Sequence, residues 1–494
     1  MIPVVTPEEM GAIDAAAPEP VEVLVERAGA AVARAALDLL GGAYGRRVVV
    51  VAGPGNNGAD GRAAAVRLRR RGVRVAVLDA GDLPPTLPLA DLLIDAAYGT
   101  GYRHRGDGRG WAPPPAPEGA AVLAVDIPSG VDGLSGRAAG HPWAAARTVT
   151  FAALKPGLVL GAGPGLAGEV TVADIGLDVS TATAHVVEDA DVVAWLPAPA
   201  RDTHKWRAAC WIVAGSPGMT GAAHLAAAGA QRAGAGYVRL STPGLADAPG
   251  APTEVVAVPL PDGGWAAAVL DDVDRIRALG VGPGLGTGEA TAEQVRALVG
   301  AVDRPPVVVD GDGLTALAGD VDGALTRGPG PCPGDGRRGG RGEGGDGHPT
   351  VVLTPHDGEL ARLGGDPSAP DRLAEVRALA ARRGAVVLAK GAPTVVADPG
   401  GRVLVATTGD ARLATAGTGD VLTGAIAALL AQGLDPTEAA AAGAHLHGRA
   451  GALAAAARAG APRARQEPVP CRRGLVAGDV AAHLPAALAL LPED

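Results

Sequence analysis

Residues 48–61, VVVVAGPGNNGADG, decide the fold of the first half of this chain. The apolar run Val48–Ala52 has the length and composition of a buried β-strand, and the glycine-rich stretch after it predicts a turn. We expect the next helix over Ala59–Arg71. A short apolar strand, a turn and a helix form the repeating unit of a parallel, doubly wound sheet, which predicts the α/β class.

The same stretch contains the only two asparagines of the 494-residue chain, Asn56 and Asn57. Lysine is almost as rare, because only Lys155, Lys205 and Lys390 stand against forty arginines. Arginine can replace lysine wherever only charge matters, but not where a compact ammonium must reach one point. We therefore expect the stretches GPGNNGADG, LKPG, THKW and AKGAPT to contain the residues that perform the chemistry.

The rest of the chain repeats this alternation of strands and helices. A capping box at Thr6 and Glu9 predicts the first helix from residue 7, and a second helix is expected over 20–40. Strands are predicted in the first half at Val73–Leu78, Ala90–Asp95, Ala121–Asp126 and Thr148–Phe151. Those of the second half are predicted at Cys210–Ala214, 236–241, 255–260, 306–310, 351–353 and 385–389, with a flap at 394–397 and 402–406 and helices at Ala222–Ala233 and Val421–Ala431.

Length and patterning predict two domains. A chain of 494 residues exceeds one ordinary core, and residues 178–204 show no strong period, so we place a boundary near 185–200. The expected domains are residues 1–190 and 200–494, both doubly wound. Residues 328–349 are mostly glycine, proline and charge, which predicts a disordered surface insertion in the second domain.

Composition excludes several classes of protein. The net charge of −10 offers no basic surface for nucleic acid. The N-terminus lacks the pattern of a signal peptide, and no apolar run of about 18 residues predicts a membrane span. The cysteines at 210, 332 and 471 are far apart and form no metal or redox motif, which suits the cytoplasm.

In the second half, GTGD at 417–420 opens an apolar helix. A helix N-terminus offers free amides and partial positive charge to a phosphate, and Asp420 could accept a proton from a substrate hydroxyl. The alternative is that Asp420 only caps the helix. Lys390 follows a predicted strand, where nucleotides bind in open α/β sheets, unless it is a solvated charge. His356 also follows a strand, and the alternative is a polar loop with a satisfied histidine.

In the first half, polar side chains follow three predicted strands. Asn57 and Asp60 follow the first, and Asp95 and Asp126 end two others. Carboxyl ends of parallel strands meet at one edge, so these groups are expected in one crevice. The Asn side chains could bond a ribose or a phosphate, or present their oxygen to a hard cation. The alternatives are an Asn-rich turn and aspartates that serve as caps.

These motifs together resemble the family of bifunctional NAD(P)H-hydrate repair enzymes over nearly the whole chain apart from 328–349. The resemblance rests on GPGNNGADG, DAAYGTGYR, VDIPSGVDG, LKPG and VTVADIGL in the first half. In the second half it rests on HKW, GSPGMTGAA, GVGPGLG, VVDGDGL, LTPHDGE, LAKGAPT and ATAGTGDVL. It implies a Rossmann-like domain that epimerises R and S hydrates of NADH and NADPH. It also implies a ribokinase-like domain that uses ADP or ATP to dehydrate the S form.

The resemblance also implies roles for residues at matching positions. Asp126 and Asp420 would be the catalytic groups. Hydrate contacts in the epimerase would be Asn56, Asn57, Gly58, Ala59, Asp60, Gly99, Thr100, Gly101, Tyr102, Arg103, His104, Arg105 and Asp126, and potassium ligands would be Asn57, Asp95 and Ser129. In the dehydratase, Ala222, Gly284, His356 and Asp420 would contact the hydrate. The nucleotide would lie at Lys390, Gly391, Ala392, Pro393, Thr394 and Gly419, with magnesium on its phosphates.

Two rival functions remain open from sequence. GTGD and AKG fit a small-molecule kinase fused to a nucleotide-binding domain equally well, although GPGNNGADG and VDIPSG favour hydrate repair. A first domain that serves only as a scaffold is the second rival, and the joint retention of Asn57, Asp60, Asp95 and Asp126 argues against it. We further expect a homo-oligomer that binds neither nucleic acid nor a membrane.

Overall fold

The computed structural model of the protein describes residues 1–103, 110–198, 201–318, 351–458 and 474–492. His104, Arg105 and the predicted insertion 328–349 lie outside these ranges. The chain forms two compact units, one of residues 2–184 and one of residues 185–494 together with Met1. The functional domain limits 1–190 and 200–494 remain a prediction.

The first unit is built around a parallel sheet with the strand order β3-β2-β4-β5-β6-β7. Its buried face is made almost entirely of Val, Leu, Ile and Ala side chains. Its elements in chain order are β1 (Ile2–Val4), α1 (Pro7–Ala15), α2 (Val21–Leu40), β2 (Arg47–Ala52), α3 (Asn56–Arg70), β3 (Arg74–Asp79), β4 (Leu92–Ala96), β5 (Ala121–Val125), β6 (Arg147–Phe151), α4 (Pro156–Val159), α5 (Gly163–Ala167) and β7 (Glu169–Ala173).

The strand order of this sheet reverses between β2 and β4. In an open parallel sheet the crevice at such a reversal, outside the carboxyl ends of the strands, is the usual ligand site. The loops after β2, β4, β5 and β6 therefore meet at one edge. These loops contain the asparagine and aspartate residues singled out from the sequence.

The helix after β2 begins earlier than the sequence predicted. It starts at Asn56 rather than Ala59, so both asparagines lie in its first turn. Gly55 is an extended N-cap, and Gly58 packs so tightly that a Cβ there would lie 1.9 Å from the carbonyl oxygen of Gly53. This close packing holds the asparagines in helical geometry and overrides their preference for turns.

The second unit contains a larger mixed sheet with the order β8-β17-β16-β15-β14-β13-β12-β9-β10-β11. Its elements are β8 (Ala184–Val186), α6 (Asp189–Trp195), a 3-10 turn (Lys205–Ala208), β9 (Ala209–Val213), α7 (Thr220–Arg232), β10 (Tyr237–Ser241), β11 (Val256–Ala257), α8 (Trp265–Leu270), β12 (Ala278–Val281), α9 (Glu289–Gly300), β13 (Val307–Val309), α10 (Asp312–Leu317), β14 (Val351–Leu353), α11 (Asp357–Arg362), α12 (Arg372–Arg383), β15 (Val386–Ala389), β16 (Thr394–Ala397), β17 (Val403–Ala406), a second 3-10 turn (Ala411–Leu413), α13 (Thr418–Ala431), α14 (Pro436–Arg458) and α15 (Ala477–Ala489).

The strands from β15 to β11 run parallel, and β15, β16 and β17 pair antiparallel. This confirms the predicted α/β class and the predicted flap. Helix α13 is apolar all round and is buried along almost its whole length. Gly424 allows α13 to pack against α7, because a Cβ there would lie 1.8 Å from the Ala226 carbonyl oxygen.

Within the described ranges, no helix combines the length and the apolar character that a bilayer crossing requires.

Candidate active sites

In the first unit, the predicted residues of three loops converge at Gly99. A Cβ on Gly99 would lie 3.0 Å from Oδ2 of Asp126 and 3.1 Å from Cγ of Asn57. Glycine at this position therefore lets the loop after β4 lie directly against the other two. The backbone N and the hydroxyl of Thr100 donate to Asp126 Oδ2 at 3.0 and 2.7 Å.

Asp95 and Ser129 form a second, fully buried group at the same edge. The Ser129 hydroxyl donates to Asp95 Oδ1 at 2.6 Å, and its backbone N donates to Oδ2 at 2.9 Å. Burial raises the pKa of Asp95 to about 6, and the hydrogen bonds from Ser129 oppose that rise. A carboxyl with this pKa is mostly ionised at neutral pH, so it can present negative charge to a cation.

The side chain of Asn57 lacks any partner in the described part of the chain. Its Nδ2 and Oδ1 are both buried and make no hydrogen bond. Leaving such a buried polar group without a partner costs about 1–3 kcal/mol. An unpaired group of this kind is expected where the side chain binds a ligand or an ion. The amide oxygen of Asn57 and the charge of Asp95 are donors of the type that hard cations prefer. These residues therefore fit the potassium site that the resemblance implies.

Lys155 was not among the predicted contacts, yet it is the ion-pair partner of Asp126. Its Nζ lies 2.7 Å from Asp126 Oδ1, and the Lys155 side chain is only 1% exposed. Burial alone would raise the pKa of Asp126, but the ammonium and the Thr100 hydrogen bonds outweigh it, and the pKa lies below its usual range. The rarity of lysine in the sequence was the signal that pointed to Lys155.

Asp60, one turn along α3 from Asn56, has the opposite protonation tendency. Burial, the Asp126 charge and the Asp14 charge together raise the pKa of Asp60 to about 8. The first unit therefore combines a carboxylate that stays ionised with a carboxyl that holds its proton at neutral pH. Pairs separated in this way are typical of acid and base partners in active sites.

The remaining predicted contacts of the first unit differ in their exposure. Gly58 is buried under the turn, whereas Asn56, Gly101 and Arg103 are solvent-exposed. The Arg103 guanidinium donates to the Thr100 carbonyl at 2.7 Å, which ties it to the loop. Ala59 and Tyr102 are half-buried.

In the second unit, the predicted residues follow neighbouring parallel strands of one sheet edge. The Cβ that Gly284 lacks would lie 3.0 Å from the Ala222 Cβ in α7 and 3.2 Å from the Met219 carbonyl oxygen, so the loop after β12 lies against the end of the loop after β9 and the start of α7. The Ser216 hydroxyl donates to the Gly284 carbonyl at 2.9 Å. Asp312 accepts the backbone N–H of Gly286 at 2.8 Å, which joins the loop after β13 to this group.

Lys390 is held by two acidic side chains. Its Nζ lies 2.7 Å from Asp310 Oδ1 and 3.6 Å from Glu359 Oε2. Asp310 also accepts the Thr423 hydroxyl of α13 at 2.8 Å. At Gly419 a Cβ would lie 3.5 Å from Lys390 Nζ, so α13 begins directly beside the ammonium.

Burial would lower the pKa of Lys390, but the Asp310 and Glu359 charges raise it above its ordinary value. The residue is therefore a half-buried, charged ammonium that is paired with acidic side chains and is not a freely solvated charge. The sequence did not single out Asp310 or Thr423.

Asp420 does not cap its helix. Helix α13 begins at an N-cap glycine, Gly417, without any side-chain cap, and no described residue donates a hydrogen bond to the Asp420 carboxylate. Burial and the nearby Asp310 raise the pKa of Asp420 to about 6, although Lys390 opposes this. The group is half-buried beside free helix amides, as a general base for a phosphoryl acceptor would be.

His356 has a structural role in the described geometry. Its Nδ1 accepts the backbone N–H groups of Gly358 and Glu359 at 3.0 and 3.3 Å and so caps α11. Because Nδ1 is an acceptor, a neutral ring would carry its proton on Nε2, which lies 3.4 Å from Glu359 Oε1. The ring is exposed, so a contact with the hydrate stays a prediction.

The loop after β15 is fixed at both ends. The Thr394 hydroxyl donates to the Gly391 carbonyl at 3.2 Å, and the Arg372 guanidinium donates to the Lys390 carbonyl at 3.3 Å. Gly391 and Ala392 are exposed, whereas Pro393 is buried. The exposed part of this loop therefore offers backbone groups at the sheet edge, beside the Lys390 ammonium.

Two family models match the chain. One is described as NAD(P)H-hydrate dehydratase and matches residues 210–330 and 343–466. The other is described as YjeF-related protein N-terminus and matches residues 21–89 and 79–157.

Similar proteins include two that carry the name bifunctional NAD(P)H-hydrate repair enzyme Nnr. The one from Moorella thermoacetica is 37% identical, covering 99% of this chain and 97% of that protein. The one from Mycobacterium tuberculosis is 40% identical, covering 81% of this chain and 82% of that protein. A crystal structure of ADP/ATP-dependent NAD(P)H-hydrate dehydratase from Bacillus subtilis, co-crystallised with ATP and Mg²⁺, is 27% identical over 62% of this chain and 98% of that one, with a TM-score of 0.46.

Proposed function

The chain belongs to the family of bifunctional NAD(P)H-hydrate repair enzymes, and from this premise we propose that it epimerises NADH and NADPH hydrates in its first unit and dehydrates the S form in its second. The observation that supports this most directly is that each unit gathers a buried aspartate, a lysine paired with it and a glycine-lined loop at the carboxyl edge of its own sheet. A domain that served only as a scaffold would not need two such clusters, because removing charged groups from water is unfavourable for folding.

In the dehydratase, Asp420 accepts the proton of the substrate hydroxyl while that oxygen attacks the terminal phosphate of ATP or ADP. Hydroxide is a poor leaving group, and transfer of the phosphoryl group converts it into a phosphate ester. The ring nitrogen then assists cleavage of the carbon–oxygen bond, which releases phosphate, and loss of a proton from the neighbouring ring carbon to the released phosphate or to water restores the carbon–carbon double bond. Lys390 and the free amides of α13 supply positive charge beside the phosphates.

In the epimerase, the hydroxyl lies on the ring carbon attached to nitrogen, because water adds to an enamine at that position. Epimerisation requires this carbon to lose its configuration. Ionised Asp126 accepts the hydroxyl proton and protonated Asp60 donates to the ring nitrogen as the carbon–nitrogen bond breaks. Reclosure on the opposite face returns both protons.

Two ions belong to this proposal. Asn57, Asp95 and Ser129 would hold potassium, which would position the substrate's phosphates. Magnesium would bind the phosphates of the nucleotide and neutralise their charge. Asp310 and Glu359 are the acidic side chains beside Lys390 at this edge of the sheet. The cytoplasm as compartment and a homo-oligomeric state are further parts of the proposal, and the first is supported by the free, buried thiol of Cys210.

The proposed function is tested by incubating the full chain with purified S hydrate of NADH, MgCl₂ and ATP or ADP. We expect absorbance at the wavelength of NADH to appear only with nucleotide, together with one phosphate per NADH. The R hydrate should react as well, because the first unit converts it. If the chain were a kinase of an unrelated small molecule, no hydrate would be consumed. That result would contradict the proposed function.

We predict that Asn57→Ala damages epimerisation and spares dehydration. The substitution removes the unpartnered amide, and with it a proposed cation ligand. Supplied with R hydrate, the variant should turn over no faster than the hydrate epimerises spontaneously, whereas pure S hydrate should react at the parent rate. Parent epimerisation should also increase when potassium replaces a bulky organic cation in the buffer.

Asn56→Ala is the matched control for this prediction. Asn56 is the neighbouring asparagine and is solvent-exposed, so its removal should have a smaller effect on epimerisation. If Asn57→Ala repaired R hydrate as fast as the parent, the epimerase assignment of the first unit would be wrong. Equal activity in potassium and in the organic cation would exclude the ion while leaving the epimerase assignment in place.

A further inference from the structure

Lys155 is enclosed so completely that it has no donor left for a substrate. Its Nζ contacts Asp126 Oδ1 at 2.7 Å, the Thr150 hydroxyl at 3.0 Å and the Phe151 carbonyl at 3.0 Å. An ammonium has three N–H donors, and these contacts use all of them. With a side chain only 1% exposed, Lys155 cannot touch a ligand in the crevice.

The three contacts join two turns of unusual backbone. Asp126 and Ala152 have φ values of 67° and 62°, and in the described part of the chain they are the non-glycine residues with positive φ. Such conformations are strained for residues that carry a Cβ, and they persist only where the surroundings enforce them. Asp126 directly follows β5, and Ala152 directly follows β6 and the carbonyl that Lys155 binds.

We infer that Lys155 is a positioning residue of the epimerase, a clamp that fastens the turns after β5 and β6 and fixes the Asp126 carboxylate for reaction with the substrate hydroxyl. This inference rests on the proposed epimerase function. It adds a residue, with a stated role, to those implied by the resemblance. Lys155 contacts only Oδ1 of Asp126. The other oxygen, Oδ2, faces Thr100 and Gly99 in the loop after β4, which is the loop expected to contact the substrate.

Arginine cannot serve as this clamp. The guanidinium is planar and larger than an ammonium. It has five N–H donors, whereas the space around Lys155 offers three acceptors. A chain with forty arginines retains lysine at this position, which agrees with a steric requirement and not merely with a need for charge.

The experiment compares Lys155→Met, Lys155→Arg and Lys205→Met in the full chain. Lys205 belongs to the other unit, where its ammonium lies 5.3 Å from the Trp206 ring, and it serves as the matched control. Epimerisation of R hydrate is measured as kcat and KM between pH 3 and 9, so that the range extends below the ordinary pKa of an aspartate. Dehydration of S hydrate by the same samples shows whether the chain is folded and active.

For Lys155→Met we expect kcat for epimerisation to fall at least about tenfold at pH 7, with KM within about twofold of the parent. Removing the ammonium leaves the Asp126 carboxylate buried without its cation and near the Asp14 carboxylate, so its pKa must rise. The acidic limb of the kcat profile should therefore move to higher pH than in the parent, where the ammonium keeps Asp126 ionised. Lys155→Arg should not restore kcat, and Lys205→Met, which changes the other unit, should epimerise R hydrate with the parent kcat and pH profile.

An unchanged acidic limb with kcat near that of the parent would overturn the inference. If the parent itself failed to epimerise, the proposed function would fall instead, so the two failures are distinguishable. Should Lys155→Met not fold, Thr150→Val provides a second test. It removes the hydroxyl that accepts from Lys155 and donates to Asp126 Oδ1 at 3.2 Å, and it keeps the ion pair. The acidic limb should therefore move up by a smaller amount, and no movement would again overturn the inference.

Discussion

Asp420→Asn is expected to reduce ATP-dependent dehydration of the S hydrate by about 10²–10⁴-fold, the usual loss when a general base is removed. The variant keeps the shape of the side chain at the start of α13. Asp420 accepts no hydrogen bond from a described residue, so the helix should retain its stability. Nucleotide affinity, measured by calorimetry, should stay within about twofold of the parent. Epimerisation by the first unit should be unaffected.

The pH dependence of the parent gives an independent check. A base must be ionised to accept a proton, and the pKa of Asp420 is raised to about 6. The rate of dehydration should therefore rise with pH through about 6 and then level off. Asp312→Asn tests the surrounding charge, because losing this acidic neighbour should move the midpoint to lower pH. If Asp420→Asn kept activity within about threefold of the parent, Asp420 would not be the general base.

The sequence predicted those features that depend on short-range patterns. The apolar strand and glycine-rich turn at residues 48–61 predicted the parallel α/β unit, and Thr6 with Glu9 forms the predicted capping box. Because parallel strands share an edge, the positions of Asn57, Asp95 and Asp126 also predicted a common crevice. These inferences need only local spacing and the rule that carboxyl strand ends converge.

Features that depend on long-range packing were missed. Strand β12 is four residues long and contains Gly280, so it has no distinct pattern, and it is defined by its parallel neighbours β9 and β13. The pairing of Asp310 with Lys390 joins residues that are 80 positions apart. Lys155 was noticed for its rarity alone, since neither spacing nor propensity indicates that its ammonium meets Asp126 inside the protein.

The second large effect is expected from Asp126→Asn, which should abolish measurable epimerisation and also destabilise the first unit. The ion pair is buried, with Lys155 1% and Asp126 10% exposed in their side chains. Removing one partner of a buried pair leaves an uncompensated charge and typically costs about 3–5 kcal/mol. Loss of activity alone would therefore not separate a chemical role of Asp126 from a folding defect.

The double variant Asp126→Asn with Lys155→Met separates the two effects. Replacing both members of a buried pair removes the uncompensated charge and is often neutral, so most of the lost free energy of unfolding should return. Chemical denaturation followed through the first unit measures this recovery. Epimerisation should not return, because the variant contains no carboxylate to accept the hydroxyl proton.

If activity returned together with stability, Asp126 would serve the fold and not the reaction. Stability without activity would establish that its carboxylate takes part in the chemistry. Dehydration of pure S hydrate should persist in both variants, since the residues changed lie in the first unit and the Asp420 site is formed by the second. A parallel loss of dehydration would mean that the two units do not function independently.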